Sequence, residues 1–104
     1  METMVLEKNE TLQSVTHPSK WKVIFWNDDI TPMGFVIHVL KEIFRYEESD
    51  AFDLMMKIHN TGSGVVGEYI KSVAESKMMV TKQISEKAGY QLKVTIERAF
   101  DEQP

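Results

Sequence analysis

The residues able to do chemistry in this 104-residue chain gather mainly at one place, Asn27-Asp28-Asp29 followed by Thr31-Pro32. Three neighbouring side chains there carry amide or carboxylate oxygens. Two adjacent acids repel one another unless a cation or hydrogen-bond donors neutralise them, so the cluster suits a cationic ligand. The same residues suit a turn with a helix cap, for which one oxygen would suffice. His59 also has two readings. Its neutral ring accepts a hydrogen bond from a ligand amine, or it is a last-turn residue favoured by the helix dipole. Two carboxylates with a histidine also describe an acid–base or metal-dependent hydrolase. Against catalysis, the chain has no cysteine, no serine in a nucleophile-elbow context and no His-x-x-x-His pair. His17, His38 and His59 are far apart, so spacing supports no metal site, and no cofactor is expected.

The bulk numbers narrow the class. The length fits one domain with a modest core. A net charge of -4 without a long block of one sign gives no basic patch for nucleic acid. No apolar run approaches the ~18–20 residues of a membrane span. Residues 1–18 lack the apolar core of a signal peptide, and residues 1–20 show no sustained period, which predicts a flexible tail ahead of a domain over 21–100. Lack of cysteine fits a reducing compartment, and a cytoplasmic protein is expected.

The elements that must position the polar cluster follow from patterning. Trp21 to Trp26 is dense in aromatic and β-branched residues on both faces, which predicts a central or doubly covered strand. Asn27-Asp28-Asp29 ends it. Thr31 as cap and Pro32 at the first helical position then predict a helix to about Arg45, with Phe35, Val36, Val39, Leu40, Ile43 and Phe44 on one stripe. A second helix, capped by Ser49 or Asp50, carries Ala51, Leu54, Met55 and Ile58 on one face and stops at Gly62. Gly64 to Ile70 is a second strand. Ser72 and Glu75 match a capping box for a third helix to about Ala88, with Val73, Ala74, Met78, Val80, Ile84 and Ala88 as its apolar residues. Leu92, Val94 and Ile96 alternate with polar residues in a last strand. The order β-α-α-β-α-β predicts a two-layer α+β domain, three helices packed on a three-stranded sheet. The methionines Met33, Met55, Met56, Met78 and Met79 read as core filler or as an adaptable pocket wall.

Lys22-Val23-Ile24-Phe25-Trp26-Asn27-Asp28-Asp29-Ile30-Thr31-Pro32-Met33-Gly34-Phe35-Val36-Ile37 closely resembles the signature of the ClpS family. Further matches fall at Leu54-Met55, Ile58-His59, Gly67, Val73-Ala74-Glu75 with Lys77, and Leu92 with Thr95 to Ala99. The likeness runs from Trp21 to Ala99 without an evident gap. It implies the same element order and a non-enzymatic adaptor of bacterial cytosol, expected to be monomeric. Such an adaptor binds the free N-terminal Leu, Phe, Tyr or Trp of N-degron substrates. It delivers them to the ClpA-type AAA+ unfoldase of the ClpAP protease by docking on the unfoldase N-terminal domain.

By position, the resemblance implies that Asn27, Asp29 and His59 hold the α-amino group, with Asp28 alongside acting through water or its field. Ile30, Thr31, Met33, Val36, Met55, Ile58 and Leu92 would shape the side-chain pocket, which moves Met33 and Met55 from filler to wall. Glu75 and Lys77 would dock on the unfoldase. Ser72 stands where members often carry an acid on that docking face. His38 replaces what is often an acid and is expected to be exposed. Residues 1–20 would be the segment fed toward the unfoldase channel.

Overall fold

A computed structural model describes residues 19–99. The stretch 1–18 of the expected tail, and the chain after Ala99, lie outside the described residues. The elements follow the predicted order: β1 (Lys20–Trp26), α1 (Met33–Glu42), α2 (Glu48–Thr61), β2 (Ser63–Ile70), α3 (Lys71–Ala88) and β3 (Lys93–Arg98). The sheet is antiparallel with strand order β2-β1-β3, so the apolar β1 is its central strand. Side chains alternate across a strand. Val23 and Phe25 are fully buried and meet Val39, Leu40, Phe44, Ala51 and Ala74 from the helices, with Val66 and Val94 beside them. Lys22, Ile24 and Trp26 therefore point to the other face of the sheet.

A bulge interrupts the β1–β2 ladder. Val23 pairs with Gly67 and Ile24 with Val65, which leaves Val66 as the extra residue. The Val66 carbonyl is instead taken by the Tyr46 hydroxyl, which donates to it at 2.7 Å. Gly67 beside the bulge leaves room for the Tyr69 ring, which a Cβ there would force to move. Burial raises the pKa of Tyr46, with Asp50 adding to it, and burial likewise raises that of Tyr69.

Several local expectations need correction. Thr31 does not cap α1. The cap position is Pro32, extended at φ -64 and ψ 143, and it makes no side-chain bond. Its carbonyl accepts from Phe35 and Val36, so the helix begins one residue later than predicted. α1 also stops at Glu42 rather than Arg45. Arg45 is left-handed at φ 64, the Tyr46 N–H bonds to Leu40 O, and the Lys77 ammonium donates to the Ile43 carbonyl at 2.9 Å. α2 starts at Glu48 after Glu47, so Ser49 and Asp50 lie inside it. Glu48 and Asp50 instead place negative charge on its first turn. The Ser72–Glu75 capping box does not form, because β2 runs directly into α3 and the cap position falls on Ile70. α3 buries Ala74, Thr81 and Ser85, with Met78 packed against the core, while Val73, Met79, Val80 and Ile84 are exposed. Met79 is therefore not filler. Its apolar neighbours turn away because the buried stripe is centred on Ala74 and Thr81.

Tyr46→Phe should lower unfolding free energy by about 1 kcal/mol, since it orphans the Val66 carbonyl. The raised tyrosine pKa values set the pH behaviour. The unfolded chain ionises first, so stability is intact below about pH 10 and falls as pH rises toward the folded pKa. Urea titrations at pH 8 and above pH 10 check both, with a smaller alkaline loss expected in Tyr46→Phe.

Candidate functional site

The polar cluster is held where β1 ends. The Asn27 N–H donates to the Gly62 carbonyl at 2.9 Å. Gly62 caps α2 in the left-handed region at φ 100, where a side chain would be strained, and its own N–H returns to Ile58 O at 2.8 Å. This joins the turn after β1 to the last turn of α2, the turn that carries His59. Two stretches about thirty residues apart in sequence thus form one rim.

Within the turn the two acids divide their roles. The Asp28 backbone carbonyl accepts from the Thr31 N–H at 3.1 Å. Its Oδ2 accepts from the same N–H at 3.0 Å and from Thr31 Oγ1 at 2.6 Å. Asp28 is half-buried and Thr31 buried, so this carboxylate is committed to shaping the turn. Asp29 is exposed, and its Oδ1 accepts from Asn27 Nδ2 at 3.2 Å. That bond orients the Asn27 amide with its nitrogen toward Asp29. Its oxygen accepts no hydrogen bond among the described residues.

Beneath the rim lies a cavity of about 210 Å³. Asn27, Asp28, Asp29 and His59 line its polar side. Ile30, Thr31, Met33, Val36, Met55, Ile58 and Leu92 also line it, so the seven residues that the resemblance gave to the side-chain pocket and the four it gave to the amine side border one hollow. Val36, Met55, Ile58 and Leu92 are buried and form fixed walls, whereas Met33 is 43% exposed and Ile30 78%, which puts them at the mouth. Sites for drug-sized ligands occupy about 300–1,000 Å³. This cavity is smaller, the size for one large side chain. Among the described residues no group of three or more His, Cys, Asp or Glu side chains is placed to hold a metal, and no helix is long and apolar enough to cross a membrane.

Glu75 and Lys77 lie elsewhere, on α3. Glu75 is exposed. The Lys77 ammonium bonds to Ile43 O and sits 5.5 Å from the Phe44 ring centre and 5.4 Å from that of Tyr69, so it also braces the end of α1. His38 is exposed, as expected.

Sequence patterning missed three contributors, of which Pro32, read only as a helix-start residue, lines the cavity beside Thr31. Trp26 also lines the cavity, and its place at the end of a strand next to Asn27 was the available signal. Ser85, only 2% exposed, accepts from the Leu92 N–H at 3.3 Å and donates to Tyr90 O at 3.1 Å. It pins the α3–β3 connection and so sets the position of Leu92. Phe35 of α1 packs edge-on against Tyr90 at 4.9 Å and steadies the same connection. A serine in the last turn of a helix carries no sequence signal for such a role.

Ser85→Ala should cost about 1–3 kcal/mol of stability, because it leaves the buried Leu92 N–H unpaired. It should also shift the Leu92 methyl resonances. Chemical denaturation and methyl NMR of the variant check the two effects.

Comparison with known proteins gives a consistent result. The family described as "ATP-dependent Clp protease adaptor protein ClpS" matches residues 16–95. A ClpS adapter protein of Deinococcus radiodurans is 38% identical over 95 residues, covering 91% of this chain and 80% of that protein. One of Burkholderia mallei is 37% identical over 98 residues, covering 94% and 92%. Among solved structures, Agrobacterium tumefaciens ClpS2 bound to L-phenylalaninamide superposes with a TM-score of 0.77 at 37% identity, covering 80% of this chain and all of that one.

Proposed function

The chain belongs to the ClpS family of ATP-dependent Clp protease adaptors, and on that premise we propose that it captures the free N-terminal Leu, Phe, Tyr or Trp of substrate proteins. In this reading it delivers them to a ClpA-type unfoldase in the cytoplasm, as a monomer and without catalysing a reaction. The observation that carries the reading is a cavity of single-side-chain size with apolar walls and a rim of hydrogen-bond acceptors. The ligand of the Agrobacterium relative, L-phenylalaninamide, combines a free α-amine with a phenyl side chain and is the smallest mimic of an N-terminal Phe.

The chemistry matches such a ligand. An α-ammonium donates three hydrogen bonds, and the Asn27 amide oxygen, the Asp29 carboxylate and the neutral His59 ring are three acceptors at the rim. Charge-assisted bonds contribute about 1.5–3 kcal/mol each. Burial of a Leu or Phe side chain against Val36, Met55, Ile58 and Leu92 adds about 1.5–3 kcal/mol. Loss of translational and rotational freedom offsets much of this sum. A micromolar Kd, about -8 kcal/mol, is the expected balance. Met33 at the mouth crowds a β-branched first residue, which disfavours Val and Ile. Asp28 acts one step behind the ligand, through the turn it holds and the field of its charge.

Unfoldase docking is proposed on α3 around exposed Glu75. Lys77 belongs to the same helix, and a partner carboxylate approaching it competes with the Ile43 carbonyl for its ammonium.

Two outcomes test the reading. Fluorescence anisotropy should give micromolar binding of a Phe-initiated peptide and none of its N-acetylated twin, which lacks both charge and donors. Equal binding of the two would end the ammonium account. Asp29→Ala should weaken binding at least about tenfold with little change in thermal stability, since its one side-chain bond among the described residues is exposed. Asp28→Ala should instead lower the melting temperature, because Thr31 loses its side-chain acceptor.

A further inference from the structure

We propose a second subsite: a groove on the open face of the sheet, entered over Trp26, takes apolar side chains at the second to fourth positions of the bound polypeptide. The proposal deepens the N-terminal-residue reading and rests on it.

Continuity is the first support. Trp26 lines both the cavity and this groove, whose other boundaries include Ile24, Val65, Lys22, Lys57 and Glu97. The groove also touches Ser63 and Gly64, which directly follow the Gly62 that anchors Asn27. Lys57 lies two residues before His59. Trp26 therefore stands between the mouth of the cavity and the groove, and a chain leaving the cavity over the indole meets the groove next.

The second support is that the platform is built. Trp26 Nε1 donates to Thr95 Oγ1 at 2.8 Å, and the Lys93 ammonium lies 5.3 Å from the ring centre. Both partners come from β3, so the indole is braced from that side. The Ser63–Val65 segment of β2 forms the groove on the other. A fixed indole offers a large apolar surface at little entropy cost, since its own polar group is already bonded. Val65 is 40% exposed and Trp26 37%. Ile24, 7% exposed, lies between them on the face away from the helices, covered by its neighbours.

Length is the third. From Trp26 back to Lys22 a strand covers about 13 Å, at about 3.3 Å per residue. That matches three to four extended residues of a bound chain. Lys22, Lys57 and Glu97 stand at the groove edges and keep it wetted. The one ion pair among the described residues is elsewhere, Lys41–Glu48. The apolar floor, not the edge charges, sets the preference.

The test compares two C-terminally labelled peptides on the full chain by anisotropy, one beginning Phe-Gly-Gly-Gly and one Phe-Leu-Val-Leu. The second should bind about five- to tenfold more tightly. Val65→Ser, a residue outside the cavity, should keep the Phe-Gly affinity to within about twofold and abolish the gain. In the unaltered protein, Val65 methyl resonances should move with Phe-Leu-Val-Leu and not with L-phenylalaninamide, a readout that does not depend on how the variant folds. Equal affinities of the two peptides, a gain that survives Val65→Ser, or unmoved Val65 methyls would overturn the groove while leaving N-terminal capture intact. Failure of both peptides to bind would instead remove the capture reading, and the groove with it.

Discussion

The hydrogen bond from the Asn27 N–H to the Gly62 carbonyl is the constraint on which the site depends. It ties the exit of the central strand to the left-handed cap of α2. That link brings Asn27 and Asp29 to the same rim as His59. The cap needs a residue tolerant of φ 100, and glycine is the one that adopts it without a Cβ penalty. A single backbone bond and a single glycine thus convert a β-turn and a helix end into one polar edge over an apolar hollow.

Around that link the polar residues divide into structural and available ones. The Asp28 carboxylate already accepts two bonds from Thr31, and Ser85 is engaged by both Tyr90 and Leu92. These groups are buried or half-buried, and each has its partner inside the chain, as buried polar groups require. Asn27, Asp29 and His59 are exposed, with acceptor capacity to spare. Burial therefore separates the side chains that make the turn from those whose acceptors stay open at the rim. The walls follow the same logic: Met55, Ile58 and Leu92 belong to the core cluster, so the pocket lining is held by the packing that folds the domain.

α3 serves two ends of the molecule. At its C-terminal half Ser85 sets Leu92 in the pocket wall. At its N-terminal half Lys77 reaches the Ile43 carbonyl and the Phe44 and Tyr69 rings, closing the end of α1. Phe44 in turn meets Phe25 edge-on at 5.5 Å, so this brace connects to the centre of the sheet. Along its length the helix exposes Val73, Val80 and Ile84 while burying Thr81 and Ser85. Its sequence reads as the reverse, because propensity and hydropathy say nothing about which stripe a sheet will cover.

The sequence by itself determined the β-α-α-β-α-β order, a central or doubly covered Trp21–Trp26 strand and the stop at Gly62. These depend on periodicity and turn chemistry, which act over a few residues. The family likeness carried the pocket residues beyond that range. Tertiary structure alone decided the rest. Thr31 turned from helix cap to partner of Asp28 because the turn before it closed. Ser72 lost its capping role because β2 leads straight into α3. The hydrogen bond from the Leu92 N–H to Ser85 and the sheet register that stands Trp26 between cavity and groove are set by how the packed elements close on one another, and no local pattern encodes them.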